Sequence, residues 1–169
     1  MQAKLSTNRI TRGAVLAALA LVLSLLEGTL PPLLPLPGMK LGLANIVTLY
    51  ALYAFGAVEA FVILLVRLIL GAVFAGQITA FLYSFTGGTL AMLVMILMQR
   101  YSRCSIYGVS VSGAAAHACG QILAASLLIG GAAPVVYLGP LLFVSLFTGS
   151  LSAFVCAMLL KSGLGKINI

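Results

Sequence analysis

Aspartate and tryptophan are absent from this 169-residue chain, and its acidic residues are two glutamates, Glu27 and Glu59. Prenyl-diphosphate chemistry needs clustered aspartates to hold magnesium against a diphosphate, and none is available. The two glutamates fall at opposite ends of their predicted spans, so they form no carboxylate pair. No serine or cysteine has an evident base, unless His117, the one histidine, serves across helices. The chain is therefore expected not to catalyse a reaction alone, and no catalytic residue is assigned. Cysteine is also sparse: Cys104, Cys119 and Cys156 are odd in number, widely spaced and without a C-x-x-C. Neither a disulfide framework nor a metal site is indicated, and no cofactor is expected on this chain.

Charge as a whole is scarce, at 7% of residues, against 63% hydrophobic. Soluble domains carry about 25% charged residues, so the bilayer is this chain's solvent. Lipid leaves backbone groups to be satisfied internally, by helices or a closed barrel. The apolar runs exceed ten residues and lack alternation, which selects helices.

The net charge of +7 does not point to nucleic acid. Lys4, Arg9 and Arg12 precede the first apolar run, Arg100 and Arg103 separate two runs, and Lys161 and Lys166 follow the last. These are flanking charges, not a stripe with interleaved aromatics. Residues 1–28 imitate a signal peptide, but the run ends at Glu27-Gly28 without a small-x-small site, so a retained helix is expected.

Six transmembrane helices are predicted, at about 10–27, 41–55, 57–76, 79–99, 107–130 and 135–160, in one membrane domain spanning 1–169. The second is short for a span and is expected to be tilted little or partly interfacial. Pro134 and Pro140 predict a late or kinked start to the sixth. With six helices, seven lysines and arginines fall on the side of the termini and only Lys40 on the other. Both termini are thus expected in the cytoplasm, in the cell membrane of a prokaryote. Residues 28–40, GTLPPLLPLPGMK, carry prolines that forbid helix. Their leucines predict a cap over the outer mouth of the bundle or, alternatively, an interfacial linker.

Within this frame the polar residues stand out. Arg67 lies in the middle of an apolar run, where a charge costs roughly 2.5–3.5 kcal/mol and faces a partner, a ligand or water. Lys40 and Asn45 mark the entry to the second helix, with Thr48 one turn on; Lys40 otherwise snorkels, and Asn45 otherwise bonds a neighbouring helix. His117 and Gln121 share a face at i, i+4 with Ser110 and Gly113 or Ala114, either as a packing pair or as part of a polar pocket. Gly87 and Gly88 either loosen the fourth helix or admit a neighbour's backbone. Gly13, Ala14, Ala17 and Ala18 form a small-residue ridge suited to docking a second membrane protein or to internal packing. No internal repeat is visible, and the chain is small for a carrier working alone, so a partner is expected.

In PGMKLGLANIVTL (37–49), RLILG (67–71), SFTGGTLAM (84–92) and YGVSVSGAAAHACGQ (107–121) the chain resembles the Gx transporter family. That family is also labelled heptaprenyl diphosphate synthase component I and is grouped with the S components of energy-coupling factor (ECF) transporters. Ala118 departs from the asparagine expected after the histidine. The resemblance, over roughly residues 10–160, implies a six-helix, all-α S-component bundle that binds a small molecule beneath the loop between helices one and two. It implies Lys40, Asn45, Arg67, His117 and Gln121 at the ligand site, and Ala14 and Ala18 docking on a transmembrane coupling protein. Two partner ATPases would use ATP. The synthase label implies instead a noncatalytic membrane subunit working with a soluble, Asp-rich prenyl synthase subunit. A structural assembly factor is a third class.

Overall fold

The computed structural model describes residues 7–29, 42–102 and 104–162. Lys40 and residues 30–40 of the predicted cap lie outside the described residues, as do Lys4, Arg103 and Lys166. The described residues form six α-helices: α1 (Thr7–Thr29), α2 (Asn45–Ala54), α3 (Ala57–Ala75), α4 (Ile78–Tyr101), α5 (Ile106–Ile129) and α6 (Leu138–Lys161). A short 3-10 helix, Ala133–Tyr137, leads into α6.

Five of these helices are long and apolar enough to cross a membrane; α2 is not. At 1.5 Å per residue its ten residues rise about 15 Å, half a bilayer core. The second helix is short, as expected, and it starts at Asn45 and not at residue 41. Gly42, at φ +86°, starts a turn through Leu43 and Ala44, and the helix begins only at Asn45. Val47 to Leu52 are all buried, and α2 packs among α1, α3, α4 and α6 at the centre of the bundle. The pairs α4–α5, α5–α6 and α1–α3 are the most extensive in the bundle.

Apolar side chains cover the outside. On α3, Val58, Val62, Val66, Ile69 and Val73 form one exposed stripe, and Phe143, Phe147, Leu151, Phe154 and Met158 do the same on α6. Such faces suit lipid and not water. The interior is built on small residues. The site of a Cβ on Gly120 would lie 2.7 Å from Gly87 Cα, and that of one on Gly149 2.8 Å from Val111 Cα, so both helix crossings are backbone to backbone. Ser110 closes the second crossing by donating its hydroxyl to Gly149 O at 2.7 Å.

Candidate functional site

Arg67 belongs to the buried stripe Ala60, Ile63, Leu64, Arg67 and Leu68, spaced at i, i+3, i+4, i+7 and i+8 along α3. Ten residues precede it in the helix, which sets it about 15 Å from the α3 start, near mid-depth. The side chain is 5% exposed, so it faces the bundle and not lipid. Its Nη2 atom lies 3.6 Å from the point a Cβ on Gly88 would occupy, so the glycine leaves the guanidinium its space. Among the described residues Nε and Nη2 have no hydrogen-bond partner.

The opposite charge comes from Glu27, near the end of α1. It is 6% exposed, and its field is the acidic one felt at Arg67. The same carboxylate accepts hydrogen bonds from the backbone N–H groups of Gly42, at 2.6 Å, and Leu43, at 3.1 Å. Glu27 thus clamps the turn that starts α2. Asn45 N–H returns to Gly42 O at 2.8 Å, and the Thr48 hydroxyl donates to Asn45 O at 3.0 Å. Sequence reasoning did not assign Glu27 to the site. The available signal was an acidic residue closing an apolar helix in a chain with only two.

His117 and Gln121 arrive from α5. A Cβ on Gly42 would meet Asn45 Nδ2 at 2.8 Å and His117 Cδ2 at 3.9 Å; one on Gly87 would meet His117 Cε1 and Gln121 Cγ, both at 3.1 Å. Gln121 is 1% exposed, and its Nε2 has no hydrogen-bond partner among the described residues. Asn45, His117 and Gln121 therefore gather around Gly42 and Gly87, with Glu27 bonded to the Gly42 turn, while Arg67 stands against the adjacent Gly88. The glycine pair does not break α4, which runs through it. It admits neighbours. Gly113 packs against Met95 of α4, the helix that His117 also meets at Gly87, Ser110 donates to Gly149 O of α6, and Ala118 joins Ile122 and Leu141.

A cavity of about 20 Å³ lies against Arg67, bordered by Ser24, Gly71, Ala72, Ala80, Phe81 and Ser84. That is room for about one water, so a larger guest requires the surrounding helices to part. The far end of the bundle holds a second acidic site of another kind. Glu59 Oε1 stands 3.6 Å from Arg9 Nη1, and both side chains are partly exposed. Glu27 and Glu59 are thus separate, each engaged with different groups. The described residues contain no cluster of three metal-ligating side chains.

On α1 the small-residue ridge divides. Ala14 and Ala18 are exposed, whereas Ala17 is 4% exposed and packs in the core with Leu49, Ala51 and Leu64. The helical phase turns Ala17 inward, which removes it from any docking face.

The clamp yields an expected result. Glu27→Ala strands the Gly42 and Leu43 N–H groups and should lower stability by about 1–3 kcal/mol, while Glu27→Gln, which keeps an acceptor, should lose less. Thermal unfolding in detergent reads this, and an alanine variant as stable as the parent would show that the clamp holds nothing.

No curated protein and no solved structure matches this chain at a meaningful level of similarity. The family model described as heptaprenyl diphosphate synthase component I matches residues 16–159. That stretch takes in Glu27, Asn45, Arg67, His117 and Gln121 and most of the bundle around them, and the chain belongs to the heptaprenyl diphosphate synthase component I family.

Proposed function

We propose that this chain is a substrate-binding membrane subunit, arranged like the S component of an ECF importer, which takes a small anionic or amphipathic metabolite at the Arg67 cluster. The observation that carries this reading is the buried guanidinium with Nε and Nη2 unbonded among the described residues. An ion held away from water costs several kcal/mol unless it is paired and hydrogen-bonded. One acidic residue, already bonded to two backbone amides, leaves donors over. A carboxylate or phosphate oxygen would engage them. Asn45 and His117 would line the same site, and Lys40 would approach from the outer side.

Because the cavity is small, capture would be coupled to opening near the Gly42 turn, under Glu27 control. Both termini would be cytoplasmic, and the energy would come from a transmembrane coupling protein and two ATPases. Ala14 and Ala18 are the exposed pair through which such a partner would dock. Ala14→Leu with Ala18→Leu should abolish co-purification of the coupling protein from membranes while leaving the bundle's thermal stability unchanged; undiminished association would contradict the docking role.

The family description favours a second reading, and speaks to it more directly than to import. The chain would be the noncatalytic membrane subunit of a polyprenyl diphosphate synthase, with a soluble Asp-rich partner carrying the chemistry. Identification of co-purifying proteins by mass spectrometry separates the two. A coupling protein with ATPases supports import; a prenyl synthase subunit whose product length changes with this chain supports the second reading.

A further inference from the structure

We propose that the cavity beside Arg67 holds a chloride ion, which balances the guanidinium until a metabolite takes its place. The exchange rests on the capture reading above; the halide itself needs only the cavity and the charge. Arg67 borders the cavity with its side chain 5% exposed, and Nε and Nη2 are unbonded among the described residues. Ser84 of α4 brings a hydroxyl to the same space, and Gly71 and Ala72 close it on the α3 side.

Charge makes the case for an ion. Glu27 is the acid whose field reaches Arg67. Its carboxylate, however, is bonded to the Gly42 and Leu43 N–H groups at the positive end of α2, which take up its charge. Arg67 is left as a cation in a water-poor interior, where an unbalanced charge is costly. Water would bond the guanidinium without neutralising it. The first turn of α4 adds to the attraction, since Ala80 lies in it and borders the cavity. The free N–H groups of such a turn carry the positive end of the helix dipole. On the opposite wall the Ala72 carbonyl, which would repel an anion, already accepts from Gly76 N–H at 3.1 Å.

Size makes the case for a monatomic ion. The space of about 20 Å³ admits one water-sized guest. A halide is close to that size, whereas carboxylates, phosphates and sulfate are polyatomic and enter only if helices part. Chloride is thus the anion that the closed bundle accepts, and capture becomes an exchange on the same donors.

The test uses the full chain in detergent, first brought into sodium gluconate. Radiolabelled chloride should bind at one ion per chain, bromide should displace it, and sulfate at equal ionic strength should not. At a hundredfold excess over its dissociation constant, chloride should raise the thermal midpoint by roughly 5–10 °C. Arg67→Leu should not bind chloride, but that variant is also expected to be less stable. Ser84→Val keeps the cation, fills the cavity and removes the hydroxyl. It should weaken chloride binding roughly 10- to 100-fold in a chain that still unfolds cooperatively. Equal midpoint shifts in chloride and sulfate would be an ionic-strength effect and overturn the proposal. So would absent chloride binding, or full binding by Ser84→Val. Native-state mass spectrometry keeps the two readings apart. Chloride binding in a chain that carries no metabolite adduct would uphold the halide and sink capture at this site. An adduct that Arg67→Leu loses, in a chain blind to chloride, would do the reverse.

Discussion

Replacing Arg67 with leucine is expected to weaken binding of an anionic ligand from about 30-fold to a few thousand-fold. The range follows from the 2–5 kcal/mol typical of truncating one member of a buried, hydrogen-bonded charge pair, at 1.4 kcal/mol per factor of ten. Stability should fall as well, by about 3–5 kcal/mol, because removing one member of a buried charge pair leaves the Glu27 carboxylate buried without the opposite charge of Arg67. Arg67→Lys should fall between, because it keeps the charge and loses the planar fork of donors. Calorimetric titration with candidate carboxylates and phosphates, alongside thermal midpoints, reads both effects. A leucine variant that unfolds early but binds normally would mean that Arg67 serves to hold Glu27 and the α2 turn, not a ligand.

The second large effect lies at the α4–α5 crossing. A Cβ at Gly120 would stand 2.7 Å from both Gly87 Cα and Thr86 O and 2.9 Å from Gly87 N. These are backbone atoms and cannot swing aside, so Gly120→Ala must push the helices apart. Overpacking of this kind costs typically 1–3 kcal/mol, occasionally more, or several degrees of thermal midpoint at roughly 2–4 °C for each kcal/mol. It would also displace His117 and Gln121 from Gly87. Gly113→Ala makes the informative comparison. Its Cβ would meet Met95 Cγ at 2.5 Å and Sδ at 2.9 Å, closer still, but a methionine side chain re-adapts. Gly120→Ala should therefore lower the midpoint more than Gly113→Ala, and should lower ligand affinity as well. Equal losses would show that backbone contact at the crossing is not what limits the packing.

Much of the bundle was legible in the chain because apolar runs longer than ten residues, punctuated by lysine and arginine, admit few alternatives in lipid. Five helices fall within a few residues of their expected bounds. The sixth begins as Pro134 and Pro140 require: a 3-10 turn carries Pro134, and Pro140 sits in the first turn of α6, where its missing N–H costs nothing. The start of α2 was not legible, since only the positive φ of Gly42 delays the helix to Asn45.

The site was legible by residue type and not by assembly. Arg67 and Gln121 are conspicuous polar groups in apolar runs. Their placement depends on Gly42, Gly87 and Gly88 clearing space, and a glycine pair reads equally as a weak point or a seat. Glu27 was missed because its partners are backbone amides fifteen and sixteen residues ahead, across a segment whose path periodicity does not encode. Ala17 was separated from Ala14 and Ala18 by about one hundred degrees of helical phase per residue, which a small-xxx-small pattern leaves unresolved when two such pairs interleave.

Native-state mass spectrometry of the protein extracted from its own membranes, run beside Arg67→Leu, tests the ligand-binding role of the Arg67 cluster most directly. A small anionic adduct on the parent that disappears from the leucine variant is the predicted result. A parent that carries no adduct, and that still takes up none when offered a panel of carboxylates, phosphates and prenyl diphosphates, would contradict it.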